Sequence, residues 1–210
     1  FVSPNDHEAF CQCDRCNELR DTDGYYSSNV LHFANMVAER IHAVYPKVKV
    51  TYYVYHSYGR TPTKIAAAPG IYAFITAWTA GNSLAVNNAK PLMDPVGNRI
   101  FRTVFDWFAA NSAGILVYPY YAHFEIFTGW PMMTQMAYDF KAMAQSPKFI
   151  GMNSESHLHW ATQPLNLYIY PKLLWNPDAD VAALIRDFCV KAYGPGAAAA
   201  NPSGESANEA

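Results

Sequence analysis

The sequence predicts an α/β protein with a parallel sheet, and three observations support this prediction. Segments with strand patterns and segments with helix patterns alternate along the 210 residues. The predicted strands are short and apolar on both faces, which is typical of strands that are covered on each side. About five strands are predicted, whereas a complete (β/α)8 barrel needs eight strands and usually ~250 residues. The predicted fold is therefore the C-terminal portion of a TIM-like barrel, with about five parallel strands and flanking helices.

The predicted strands are rich in β-branched and aromatic residues, which favour extended backbone. They are the end of a strand at 1–3, followed by 48–55, 71–78, Gly114–Tyr118 and Phe149–Met152. Apolar residues at helical spacing predict helices over 30–44 and 100–108 and a Met-rich helix over 131–144. The last helix is predicted to begin with Asn176 as N-cap and Pro177 at its first position.

Composition excludes several classes of protein. The chain is 51% apolar, which is enough for one packed domain, and its net charge is −2. It has no run of Lys and Arg, which argues against a nucleic-acid partner. No stretch of 18 apolar residues is present, so no membrane span is predicted. Aromatic residues make up 15% and charged residues only 15%, compared with a typical ~25% charged residues in soluble proteins.

The first and last residues suggest a piece of a longer protein. The sequence starts at Phe1 in a strand pattern without Met, and it ends in GAAAANPSGESANEA. We expect residues 1–196 to form one partial barrel catalytic domain that lacks the N-terminal half of the barrel. Residues 197–210 are expected to be a disordered or low-complexity tail.

Chemistry in a parallel barrel is found where the strands' carboxyl ends meet the following loops. This predicts a face rich in aromatic, amide and imidazole groups, a mixture that suits sugars because their CH faces stack on rings and their hydroxyls need hydrogen-bond partners. The predicted substrate-binding residues are Asn5, Tyr55, His56, Trp78, Tyr118, Tyr120, Tyr121, Asn153, His157 and Trp160. Tyr58 and Thr76 also follow or end predicted strands, and His157 with His159 has a spacing that also permits a metal pair.

Hydrolysis of a glycosidic bond generally needs two carboxyl groups. Among the 17 acidic residues, only Asp6, Glu125 and Glu155 closely follow predicted strand ends. We predict Asp6 and Glu155 as the catalytic pair and rank Glu125 below them, since it lies further past its strand. The alternatives are an Asx turn at Asp6 and a solvated loop position for Glu155.

Three of the four cysteines, Cys11, Cys13 and Cys16, form a C-x-C-x₂-C motif. Thiolates at this spacing can converge on one Zn²⁺, with His7 or a distant residue as a fourth ligand. A disulfide within the trio and a reduced cluster are the other two interpretations. Cys189 falls on the apolar stripe of the last predicted helix and is interpreted as a core residue.

Several long motifs resemble one family. These are SPNDHEAFCQCDRC, SSNVLHFANMVAERIHAVYP, GMNSES and LNLYIYPKLLWNPDADVAALIRDFCVKAYG. Together they resemble a bacterial carbohydrate-associated domain family of formerly unknown function. That family is similar to glycoside hydrolases with endo-β-N-acetylglucosaminidase activity and to the TIM barrels of β-hexosaminidases and α-glucuronidases. The resemblance covers roughly residues 1–196.

The resemblance implies a secreted or periplasmic glycoside hydrolase that acts on glycans, often N-acetylated ones. In related hexosaminidases the substrate's acetamido group attacks the anomeric carbon, one carboxylate orients it, and another carboxyl group protonates the leaving oxygen. Asp6 and Glu155 are the candidates for these two duties, and catalysis of this kind requires no cofactor. The alternatives are a non-catalytic carbohydrate-binding barrel and a domain built around a structural zinc site.

Overall fold

The computed structural model describes residues 1–4, 9–77, 89–121, 132–154 and 164–197. These residues form a four-stranded parallel sheet flanked by helices, so the predicted α/β class is confirmed. The strands are β1 Val50–Val54, β2 Ile71–Thr76, β3 Gly114–Tyr118 and β4 Phe149–Met152, and their order in the sheet follows the chain. The helices are α1 Asp14–Glu18, α2 Ser27–Val44, α3 Arg99–Asn111, α4 Met133–Ala144, α5 Pro164–Trp175 and α6 Val181–Tyr193, with 3₁₀ turns at His56–Tyr58 and Gly194–Gly196.

The predicted first strand, 1–3, is reduced to a single parallel bridge beside β1. The Val2 N–H donates a hydrogen bond to the Thr51 carbonyl (2.7 Å), and the Tyr53 N–H donates one to the Val2 carbonyl (3.2 Å). This contact places residues 1–4 at the open edge of β1. Because Val2 pairs with Tyr52 and runs parallel to β1, residues 3 and 4 lie beside the carboxyl end of that strand.

One face of the sheet is sealed by helices. Tyr52, Ala73 and Ile115 share a row of the strand register, and none of them is exposed to solvent. The Tyr52 hydroxyl donates to the carbonyl of Ser27 on α2 (3.3 Å), and its ring lies 5.8 Å from that of Phe108 on α3. Burial of this row explains why these alternate strand positions carry no charged side chain, since helices cover this face of the sheet.

The opposite face carries more polar and aromatic side chains and is less covered. Tyr53, Phe74 and Leu116 share a row there, and both Tyr53 and Leu116 are half-buried. The ring of Phe1 lies 5.7 Å from the Tyr53 ring and 5.4 Å from the Phe74 ring. Tyrosine side chains on this face are thus held at the sheet with part of their surface accessible.

A buried carboxylate fixes the start of α2 beside the carboxyl edge of the sheet. Asp21 accepts hydrogen bonds from the N–H and hydroxyl of Ser28 (2.9 and 2.5 Å) and from the N–H and hydroxyl of Thr63 (2.7 and 3.0 Å). The Tyr26 N–H donates to the Ser57 carbonyl (2.8 Å). These bonds join the loop before α2 to the loop that follows β1, and a negative charge also suits a helix N-terminus.

The end of the chain departs from the sequence prediction at the start of α6. Asn176 does not cap this helix, because its side chain instead accepts the Asp178 N–H in a turn (3.1 Å). Asp180 is the true N-cap and accepts the N–H groups of Ala182 and Ala183 (2.8 and 3.2 Å). The Asn-Pro-Asp pattern therefore marks a turn, and the helix begins four residues later than predicted.

The short helix α1 and the helix α5 were not predicted. The α5 sequence is apolar on nearly every side and contains Pro171, so it shows neither a clear helical stripe nor an uninterrupted helix pattern. Within the described part of the chain, no helix is both long and apolar enough to cross a membrane.

Candidate functional site

A cavity of about 220 Å³ lies at the carboxyl edge of the sheet, and we call it the tyrosine pocket. Because β1, β2 and β3 run parallel and pair in sequence order, their last residues meet at this edge. The pocket is lined by Ser3, Pro4, Tyr53, Tyr55, Tyr58, Thr76, Tyr118 and Tyr120. Five of these eight residues are tyrosines, so the wall combines aromatic rings with hydroxyl groups.

Strand periodicity brings these tyrosines together. Tyr53 and Tyr55 are two residues apart and project to the same face of the sheet. Thr76 and Tyr118 are register partners on β2 and β3. The Thr76 hydroxyl donates to the Val54 carbonyl (2.9 Å), which ties the ends of β1 and β2 together. The floor of the pocket is therefore set by the sheet.

Two pairs of rings in the pocket stand nearly at right angles. The Tyr118 and Tyr120 ring centroids are 5.5 Å apart with an interplanar angle of 82°, and those of Tyr55 and Tyr58 are 6.2 Å apart at 77°. Edge-to-face pairs are a favourable arrangement of aromatic rings. They also direct ring faces in different directions, so the pocket presents both apolar surfaces and phenolic hydroxyl groups.

The structure brings together three of the predicted substrate-binding residues, Tyr55, Tyr118 and Tyr120. His56 follows Tyr55 with a φ of 53°, and its ring lies 5.3 Å from the Tyr55 ring, but it does not line the pocket. The predicted catalytic residues Asp6 and Glu155 and the predicted binding residues Asn5, Trp78, His157 and Trp160 lie outside the described residues.

Two further predicted residues, Tyr121 and Asn153, line a second cavity of about 160 Å³. Ser154, which lines it too, donates to the Pro119 carbonyl (3.0 Å). Pro119 lies between two residues of the tyrosine pocket, so the segment 118–121 contributes residues to both cavities. The hydroxyl of Tyr170 on α5 is buried beside the second cavity without a hydrogen-bond partner among the described residues.

The hydroxyl of Tyr121 is hydrogen-bonded inside the core. It donates to the carboxylate of Asp139 on α4 (2.8 Å), which also accepts the N–H groups of Leu92 and Met93 (2.9 and 2.7 Å). Asp139 is not exposed at all, and this burial raises its pKa to about 6. Burial likewise raises the pKa of Tyr121 well above its usual value. This buried cluster anchors the segment that follows β3, next to Tyr120 of the tyrosine pocket.

The Cys11, Cys13 and Cys16 thiols lie within 4.8 Å of one another at the start of α1, and we call them the cysteine trio. All three are free thiols, and Cys11 and Cys13 are exposed. A hydrogen bond from the Cys16 backbone lowers the pKa of Cys13, whereas hydrogen bonds with Cys13 and Cys11 raise the pKa of Cys16 to about 11. The trio has the ligand types and proximity of a metal site.

Sequence reasoning missed three residues of the pocket wall, Ser3, Pro4 and Tyr53. Tyr53 lies inside β1 rather than after it, so a search limited to strand ends passes over it. The alternation of Tyr53 with Tyr55 was the available signal, because residues two apart on a strand share a face. No sequence signal shows that residues 3 and 4 turn toward the pocket.

The fold and the site define a class: an α/β protein with a parallel sheet and an aromatic pocket at its carboxyl edge. A family model described as "Domain of unknown function (DUF4838)" matches residues 1–202. The chain therefore belongs to this family. No curated protein and no solved structure matches the chain.

Proposed function

We propose that this chain belongs to a glycoside hydrolase that binds glycans in the tyrosine pocket, including glycans that contain N-acetylhexosamine. The observation that carries the proposal is the pocket itself, with five tyrosines and a threonine, a serine and a proline at the carboxyl edge of a parallel sheet. This edge is where parallel α/β sheets and barrels place ligands. The cavity is smaller than the roughly 300–1,000 Å³ of pockets for drug-sized ligands, which suits a single sugar ring.

The chemistry of the wall matches a sugar better than the other common ligands. Tyrosine rings stack on the CH face of a pyranose, while phenolic, threonine and serine hydroxyls exchange hydrogen bonds with its hydroxyl groups. A phosphate group would call for a Gly-rich loop or clustered Arg and Lys. The wall contains no Arg, Lys or Gly among the described residues.

Asp6 and Glu155 are assigned as the catalytic carboxyl groups. In sequence, Asp6 comes two residues after Pro4 of the tyrosine pocket, and Glu155 directly follows Ser154 of the adjacent cavity. One carboxyl group protonates the leaving oxygen, and the other orients the attacking group or supplies the nucleophile. This chemistry requires no cofactor, and the cysteine trio would serve as a structural zinc site.

The sheet fits a (β/α) barrel better than a doubly wound sheet. Strand order that follows the chain is typical of (β/α) barrels, whereas doubly wound sheets reverse their order at a switch point. The half-buried Tyr53 and Leu116 would face the barrel interior. We propose that the described strands form the C-terminal portion of such a barrel in a secreted or periplasmic protein.

A second candidate function is a carbohydrate-binding barrel without catalysis. The observation that favours it is the absence of a carboxyl group from the described residues that line the tyrosine pocket. Both candidates predict sugar binding in the pocket, and only the first predicts turnover. A rate measurement therefore separates them.

Removal of a pocket tyrosine is expected to weaken sugar binding. Tyr55→Ala and Tyr118→Ala should each raise the Kd for an N-acetylglucosamine oligosaccharide about 10-fold, because an aromatic stacking partner contributes about 1 kcal/mol beyond its buried area. Titration calorimetry on this chain measures the change. The matched control is Tyr45→Ala, since Tyr45 is exposed at the C-cap of α2, away from the pocket. Equal weakening by all three substitutions, or unchanged binding in the two pocket variants, would contradict the proposal.

A further inference from the structure

We propose that the cysteine trio binds one zinc ion and that this ion holds residues 10–12 against the wall of the tyrosine pocket. The three sulfur atoms lie within 4.8 Å of one another. Zn–S bonds of ~2.3 Å in a tetrahedral site place sulfur atoms roughly 3.8 Å apart. The trio is thus within about an ångström of ligating distance, and the exposed side chains of Cys11 and Cys13 can rotate to close it.

The backbone already arranges the trio before a metal binds. Cys13 is the N-cap of α1 with extended backbone, and Cys16 lies in the first turn. The Asn17 N–H donates to the Cys13 carbonyl (2.9 Å), and the Asn17 amide donates to the Gln12 carbonyl (2.8 Å). From α2, the Asn29 amide donates to the Cys16 carbonyl (2.7 Å). These bonds fix the turn that carries the thiols, so little conformational freedom is lost when the ion binds.

Zinc fits the donor set better than the other metals that thiolates bind. Iron–sulfur clusters usually require four cysteine thiolates, whereas tetrahedral zinc bound by the trio needs only one further ligand. Carboxylate and carbonyl oxygens, which calcium and magnesium prefer, are not part of the trio. A disulfide between two members would leave the third thiol unpaired, whereas zinc uses all three.

Contacts lead from the trio to the pocket. Phe10, adjacent to Cys11, stacks on Tyr26 with ring centroids 4.3 Å apart and an interplanar angle of 12°. Its ring also meets the edge of Tyr58, a pocket residue, at 6.1 Å. The Gln12 amide donates to the Tyr26 hydroxyl (2.9 Å). An ion that links Cys11 to Cys13 and Cys16 therefore fixes the segment that packs behind Tyr58.

The test uses the reduced chain and Zn²⁺ alone, so it does not depend on the proposed sugar or reaction. Competition with a chelator of known affinity should show one zinc ion per chain. Cys11→Ser, Cys13→Ser and Cys16→Ser should each weaken zinc binding more than about 10-fold, since even outer partners of zinc ligands contribute that much. The matched control is Cys189→Ala, which removes the buried thiol of α6 and should leave the stoichiometry at one.

Hydrogen exchange tests whether the zinc ion holds residues 10–12 against the wall of the tyrosine pocket. Zinc should slow amide exchange in residues 10–17 and at Tyr26 and Tyr58 in the wild-type chain, but not in Cys13→Ser. Substoichiometric zinc, unchanged binding in the serine variants, or a disulfide within the trio in the presence of zinc would overturn the metal site. Stoichiometric zinc without protection at Phe10, Tyr26 and Tyr58 would overturn its link to the pocket.

Discussion

Asp6→Asn and Glu155→Gln are each expected to lower glycan hydrolysis by the full-length protein by about 100-fold or more. Positioned acid–base groups contribute about 10²–10⁴-fold to the rate of such reactions. The amide variants keep the size of each side chain while removing its ability to exchange a proton or carry charge. The measurement is kcat on an N-acetylhexosamine glycan, with sugar affinity measured in parallel.

Matched controls for these variants are available on the helices. Asp106→Asn and Glu39→Gln make the same chemical changes at exposed positions of α3 and α2. Both controls should retain wild-type turnover. Wild-type turnover in Asp6→Asn and Glu155→Gln would reject the catalytic assignment, and tight binding without hydrolysis in the unmodified protein would favour the binding module.

Asp139→Ala is expected to cause a large loss of stability. The substitution leaves the buried N–H groups of Leu92 and Met93 and the hydroxyl of Tyr121 without their acceptor. Each unsatisfied buried donor costs about 1–3 kcal/mol, so we expect the free energy of unfolding at pH 5 to fall by about 3 kcal/mol or more. Urea denaturation measures the loss. Asp106→Ala is the control and should cost less than about 1 kcal/mol, because its bond to Arg102 is a surface ion pair.

The contribution of Asp139 to the free energy of unfolding should also fall as the pH rises. Its pKa is raised from 3.8 to about 6 by burial, so the folded protein binds this proton more tightly than the unfolded chain does. The contribution of Asp139 to stability is therefore full below about pH 4 and is lost as the pH rises through about 6. The destabilisation caused by Asp139→Ala should shrink by about 2 kcal/mol between pH 4 and pH 7. A difference that stays constant or grows over this range would contradict the assignment.

Local patterns predicted most of the sheet because its strands obey local rules. The β-branched and aromatic run over 48–55 contains β1, and the Ile71 start of β2 was predicted correctly. At the start of α6 the error arises because a polar group serves a different role from the one its motif suggests. Asn176 closes a turn, and Asp180 caps the helix.

The candidate site was predictable in part because local patterns also locate the ends of the strands. Parallel strands place Tyr55 and Tyr118 at one edge, so strand ends alone predict that they meet. Tyr121 has the same sequence signal, yet its hydroxyl bonds to Asp139, 18 residues further along the chain. That pairing depends on how α4 packs, which the pattern around Tyr121 does not encode.

The central claim is that the tyrosine pocket binds a sugar ring. Its most direct test is a crystal structure of this chain with an oligosaccharide that contains N-acetylhexosamine. The predicted result is one sugar ring in the pocket, stacked on at least one of Tyr55, Tyr118 and Tyr120 and hydrogen-bonded to a neighbouring hydroxyl. A bound oligosaccharide that lies elsewhere on the chain and leaves these tyrosines without contact would contradict the claim.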